Sequence, residues 1–131
     1  MSEPEKTTTP RQVRVAVPSE APGGLAAACS EHFGRCSHFT VADLVDGEPT
    51  RTAVVENLPH HEGGCMAPVT MLARNGVEAI IVNGIGGRPL MGFNQLGIAV
   101  FAGDGSDVGG TLRAFAEGCL SLVGPEGGCR H

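Results

Sequence analysis

The chain has five Cys and five His, and all of them except Cys119 fall into three groups that could hold a transition metal. Cys29, His32, Cys36 and His38 lie within one stretch of ten residues. His60, His61 and Cys65 form a second group, and Cys129 and His131 a third at the end of the chain. Thiolate and imidazole together suit iron, zinc, copper or iron–sulfur clusters, whereas magnesium and calcium prefer oxygen. The spacings match no standard zinc-finger, ferredoxin or haem pattern. An odd, unevenly spaced set of cysteines in a reducing compartment reads as thiols or metal ligands before disulfides.

Composition narrows what else the chain can do. At 131 residues it is one domain's worth of protein, large enough to bury a core without staples. Aromatic residues make up 4%, with no Trp and no Tyr, which argues against a stacking platform for single-stranded nucleic acid. A net charge of -5 leaves no basic face for phosphates or anionic lipid. No apolar stretch approaches the ~18 residues of a membrane span, and the start is polar, unlike a signal peptide. The expectation is a cytoplasmic protein with neither a nucleic-acid nor a membrane partner.

The elements that must position these groups can be read from periodicity. Residues 1–11 are polar, without an apolar period, and read as a disordered tail. One domain is expected over residues 12–123, and a flexible Cys/His tail over 124–131. Val13, Val15 and Val17 alternate as in a strand over residues 12–18. A Gly-rich loop follows, then a strand over 38–45. Asp46-Gly47 is the dipeptide of a two-residue hairpin, and a third strand is expected over 51–56. Pro68 suits a first helical turn, and Asn75-Gly76 a helix end. Ala79–Val82 is a continuous apolar run, as in a strand buried on both faces. Further along, a short helix begins near Pro89 and stops at Gly97, and a strand covers 98–101. A last helix, capped from within 104–107, carries Leu112, Phe115, Cys119 and Leu122 on one stripe. The order βββαβαβα predicts an α/β fold with a mixed five-stranded sheet and flanking helices.

Each candidate has a structural competitor. Cys119 on its apolar stripe reads as a small buried hydrophobe. Cys29, after three alanines, and His38, at a strand start, read more readily as structural than as ligands. His32 stands in a loop where nothing structural requires an imidazole. Cys65 precedes a helix start, whose dipole favours thiolate. Cys36, His60, His61, Cys129 and His131 complete the candidate metal ligands. Gly84, Gly86, Gly87 and Arg88 lie between a buried strand and a helix, where free N–H groups could face an anionic group. The loop lacks the full phosphate-loop sequence, so a tight turn is its structural alternative. Nucleophile elbows and convergent carboxylate pairs are missing, so no enzyme chemistry is expected.

Ser30-Glu31-His32-Phe33-Gly34-Arg35, Asn57-Leu58-Pro59-His60, Gly76-Val77-Glu78-Ala79-Ile80-Ile81, Gly84-Ile85-Gly86 and Gly97-Ile98 occur in this order. The set resembles the dinitrogenase iron-molybdenum cofactor family over about residues 12–120. The resemblance implies a ribonuclease-H-like fold without nuclease activity. It further implies non-enzymatic binding of an iron–sulfur or iron–molybdenum type cluster and its transfer to a client or donor protein of cofactor assembly, a role related to nitrogen fixation. His32 is the cluster ligand that the resemblance implies. Cys36, Cys65 and the Cys129/His131 tail go beyond the shared pattern and suggest a thiolate-rich site of its own. A single iron or zinc ion in a regulatory or structural protein is the alternative. A homodimer bridged through two Cys129 tails is compatible with either.

Overall fold

The computed structural model describes residues 12–21, 23–31, 33, 36–57, 66–85, 87–103 and 107–123. The described elements are β1 (Gln12–Ser19), β2 (His38–Val45), β3 (Glu48–Glu56), α1 (Met66–Arg74), β4 (Ala79–Val82), α2 (Gly87–Gln95), β5 (Ala99–Ala102) and α3 (Val108–Ala116). This is the expected βββαβαβα order. The sheet has five strands in the order β3-β2-β1-β4-β5. β1 pairs antiparallel with β2 and parallel with β4, and β4 pairs parallel with β5, so the sheet is mixed. Among the described residues no helix is long and apolar enough to cross a membrane.

Alternation along the strands builds two cores. Ala16, Phe39, Val41, Ile80, Val82 and Val100 face one side, where Val69 and Leu72 of α1 and Leu90 and Phe93 of α2 cover them. Val15, Val17, Ala42, Leu44, Ala79 and Ile81 face the other, against Val108 and Leu112 of α3. The result is a three-layer sandwich, the arrangement a sheet with two apolar faces needs. Asp46 and Gly47 both adopt positive φ, 54° and 86°, as the hairpin reading requires.

Several boundaries differ from the sequence reading, among them β1, which runs one residue further to Ser19, and α2, which begins at Gly87 and not near Pro89. β3 starts at Glu48 instead of Arg51, because it is an edge strand whose nearly continuous exposure leaves no hydrophobic alternation to read. β5 lies one residue later than expected, at Ala99–Ala102. α3 ends at Ala116, where Glu117 caps it and Gly118 turns left-handed at φ 77°. Cys119 therefore falls beyond the helix and is exposed, which corrects its placement in the core. The chain then returns alongside β5, where Leu122 bridges Phe101 and the Val123 N–H donates to the Val100 carbonyl at 2.8 Å.

Candidate functional site

The strand register decides which loops meet. Ser19 at the end of β1 pairs with His38, and His38 pairs with Glu56 at the end of β3. β4 and β5 run parallel to β1, so Val82 and Ala102 also end on this side. The segments after β1, β3, β4 and β5 thus all leave one end of the sheet. In α/β sheets, ligands bind at the carboxyl ends of the parallel strands. α1, α2 and α3 each follow one of these segments, so their N-termini, the positive ends of their dipoles, lie at the same end. An anionic group would meet favourable fields there.

Local contacts fix parts of this rim. The Phe33 N–H donates to the Gly84 carbonyl at 3.2 Å, joining the first loop to the loop after β4. The Phe33 ring packs 5.6 Å from that of Phe39 and 5.3 Å from that of Phe93. A Cβ built on Gly84 would sit 2.8 Å from the Glu31 carbonyl oxygen, so this glycine is needed for close approach. Gly87 differs, because a Cβ there would meet nothing within 4 Å. Gly87 and Arg88 are both exposed in the first turn of α2. The backbone on either side of residue 32 is thereby held against the β4–α2 connection.

Cys36 is the one candidate metal ligand of the sequence reading with a described side chain, and its surroundings are those of a core thiol. It is 4% exposed within the cluster that holds Phe33, Phe39 and Phe93. Its Sγ–H donates to the Phe33 carbonyl at 3.3 Å. Burial pushes its thiol up to about 12, so the neutral form dominates. Serving as a thiolate ligand would require Cys36 to leave this packing. Cys29 is half-buried and packs against the α3 face, with its Sγ 3.5 Å from the Thr111 hydroxyl. The two cysteines lie against opposite faces of the sheet, so these contacts do not set them up to share one ion. His38 is half-buried at the start of β2, with its Nδ1 2.8 Å from the Ser37 hydroxyl.

His32, His60, His61, Cys65, Gly86, Cys129 and His131 lie outside the described residues. So do the two tails expected over 1–11 and 124–131. Among the described residues no group of three or more His, Cys, Asp or Glu could hold a metal ion. Sequence reasoning quoted Asn57 in the family resemblance but gave it no role; its backbone N–H donates to the Ser37 carbonyl at 2.9 Å and its side chain donates to the Cys36 carbonyl at 2.8 Å. The signal available was an amide directly after a strand and before a His/Cys-bearing loop.

Comparison with known proteins accords with this geometry. The family model described as dinitrogenase iron-molybdenum cofactor matches residues 11–118. The uncharacterised protein MJ0580 of Methanocaldococcus jannaschii is 33% identical over 93 residues, covering 70% of this chain and 79% of the relative. The crystal structure of PH0822 superposes with a TM-score of 0.72 at 30% identity, covering 84% of this chain and 94% of that one. The apo form of the orange protein from Desulfovibrio gigas has a TM-score of 0.71 at 23% identity, covering 83% of this chain and 91% of that one, and shares the fold.

Proposed function

We propose, since the chain belongs to the dinitrogenase iron-molybdenum cofactor family, that it carries an iron–sulfur or iron–molybdenum type metallocluster as cargo. It binds the cluster without transforming it and hands it to a client protein of cofactor assembly in the cytoplasm. The observation that carries this reading is the family match across residues 11–118. The convergence of four connecting segments at one end of the sheet supports it.

His32 and Cys65 are the central donors of this reading, with His60, His61, Cys129 and His131 as further ones. Cys36 serves as core packing in this reading. Gly84, Gly86, Gly87 and Arg88, around the start of α2, are the residues of this reading that would bind the anionic cargo. At Val123 the chain runs antiparallel to β5, away from the rim. The eight residues 124–131 can span at most about 26–29 Å, enough to return Cys129 and His131 to the rim or to reach a second copy. Histidine and thiolate donors on separate segments suit a cargo that must be released, because each bond can be exchanged with the client singly.

Protein purified without oxygen and analysed for iron and sulfide tests the reading. A brown protein whose broad visible absorption bleaches on reduction is expected. A colourless protein holding one zinc ion per chain would contradict it.

A further inference from the structure

Asn57 follows β3 directly, and β3 already pairs with β2 as far as His38↔Glu56. The ladder continues through the Asn57 N–H, which donates to the Ser37 carbonyl at 2.9 Å. Its side chain adds contacts that a strand end does not need. Nδ2 donates to the Cys36 carbonyl at 2.8 Å and also lies 3.8 Å from Cys36 Sγ. One amide group therefore grips both the backbone and the sulfur of Cys36. Cys36 in turn donates to the Phe33 carbonyl, and Phe33 donates to Gly84. A continuous set of hydrogen bonds runs from the end of β3, through Cys36 and Phe33, to the β4–α2 connection.

The two ends of this set matter because of what the sequence attaches to them. Residue 32 directly precedes Phe33, and the segment bearing His60, His61 and Cys65 directly follows Asn57. We infer that Asn57 is a positioning residue for the metal cargo, fixing the origin of one donor segment relative to the other through its grip on Cys36. This inference rests on the carrier reading. Asn57 touches no metal itself. It stands one step further back than the hydrogen-bonded partners of metal ligands, whose removal typically costs about 10–100-fold in affinity, so its effect lies at the low end of that range.

The near-isosteric Asn57→Asp is the sharpest test. It keeps the backbone hydrogen bond and the side-chain size, removes both Nδ2 hydrogens, and sets a carboxylate oxygen against the Cys36 carbonyl. Asn57→Ala removes the side chain without adding charge and serves if the Asp variant folds poorly. Full-length protein is titrated with cobalt(II), whose visible bands report imidazole and thiolate coordination, while Cys36 alkylation is followed by mass spectrometry. Expected are cobalt binding weakened by about 10-fold, the low end for partners of metal ligands, a reduced charge-transfer band at saturation, and faster alkylation of Cys36, with the far-ultraviolet circular dichroism retained. A strand-end cap without a positioning role would lower Tm and leave the cobalt affinity and spectrum of the folded protein unchanged. That result would overturn the inference and leave the carrier reading standing. Failure of the wild-type chain to bind cobalt or iron would overturn both.

Discussion

The two ends of the sheet are built from the same five strands and do opposite things. At the end away from the loops, Arg14 and Asp43 face each other across β1 and β2 and pair at 2.7 Å through Nε and 3.2 Å through Nη2. Arg14 also donates from Nη1 to the Asn75 carbonyl at 2.8 Å, which ties the end of α1 to the sheet. The hairpin turn at Asp46-Gly47 closes this end, next to a groove of about 650 Å³ whose lining includes no Cys or His. The opposite end has the free strand termini, the helix N-termini and the segments bearing His32 and Cys65. Charge and tight turns fix one end, while the connecting segments after β1, β3, β4 and β5 leave from the other. On the proposed function the difference separates stability from cargo handling, so each can be perturbed with limited effect on the other.

The comparison breaks most visibly at Phe33, which joins the rim to the core through Phe39 and Phe93. Phe33→Ala should lower stability by about 3–5 kcal/mol, measured by denaturant unfolding, and should also weaken metal binding because the chain beside residue 32 loses its anchor. Loss of stability with unchanged metal affinity would separate Phe33 from the site.

A pair of glycine substitutions sharpens the contrast. Gly84→Ala forces a Cβ against the Glu31 carbonyl oxygen, 2.8 Å away, and should cost about 1–3 kcal/mol. Gly47→Ala places an alanine at φ 86° and should cost about 1 kcal/mol. Both effects are read from Tm, but only the Gly84 variant should also lose metal affinity. Equal metal binding by the two variants would erase the functional difference between the ends.

The smallest effects concern pH. The hydrogen bonds from Arg14 hold the Asp43 carboxyl below its ordinary range. Its contribution to stability is therefore present above the ordinary carboxylate pKa and is lost as pH falls through the lowered folded value. Since Arg14 is 38% exposed, the pair should contribute only about 1 kcal/mol. Cys36 works in the other direction. Burial raises its thiol to about 12 from an ordinary value of 9.0, so its contribution is present below pH 9.0 and is lost as pH rises towards 12. Unfolding midpoints measured against pH should show an acid limb that disappears in Asp43→Asn and an alkaline limb that disappears in Cys36→Ala.

Much of the scaffold was legible because buried strands write their period into the sequence. Val13, Val15 and Val17, the run Ala79–Val82 and the Asp46-Gly47 turn located the sheet and its hairpin. β3 began earlier than expected because an edge strand has little buried face to alternate. Cys119 was misplaced because a helical stripe was continued through Gly118, a residue whose backbone ends the helix. The gathering of segments at one sheet end followed from element order and strand direction alone. The inward orientation of Cys36 did not, because a loop residue has no periodicity to reveal which way it points. The role of Asn57 escaped for a related reason: its partners, Cys36 and Ser37, are distant in sequence and adjacent only through the β2–β3 ladder.

The most direct test of the account is the iron content of a His32→Ala/Cys65→Ala double variant after anaerobic reconstitution with iron and sulfide, normalised to folded protein by circular dichroism. The account predicts that the variant folds and elutes from a desalting column nearly free of iron, while the wild-type chain retains a coloured cluster. A double variant that keeps the wild-type iron content and spectrum would contradict the claim that these two residues hold the cargo at the rim.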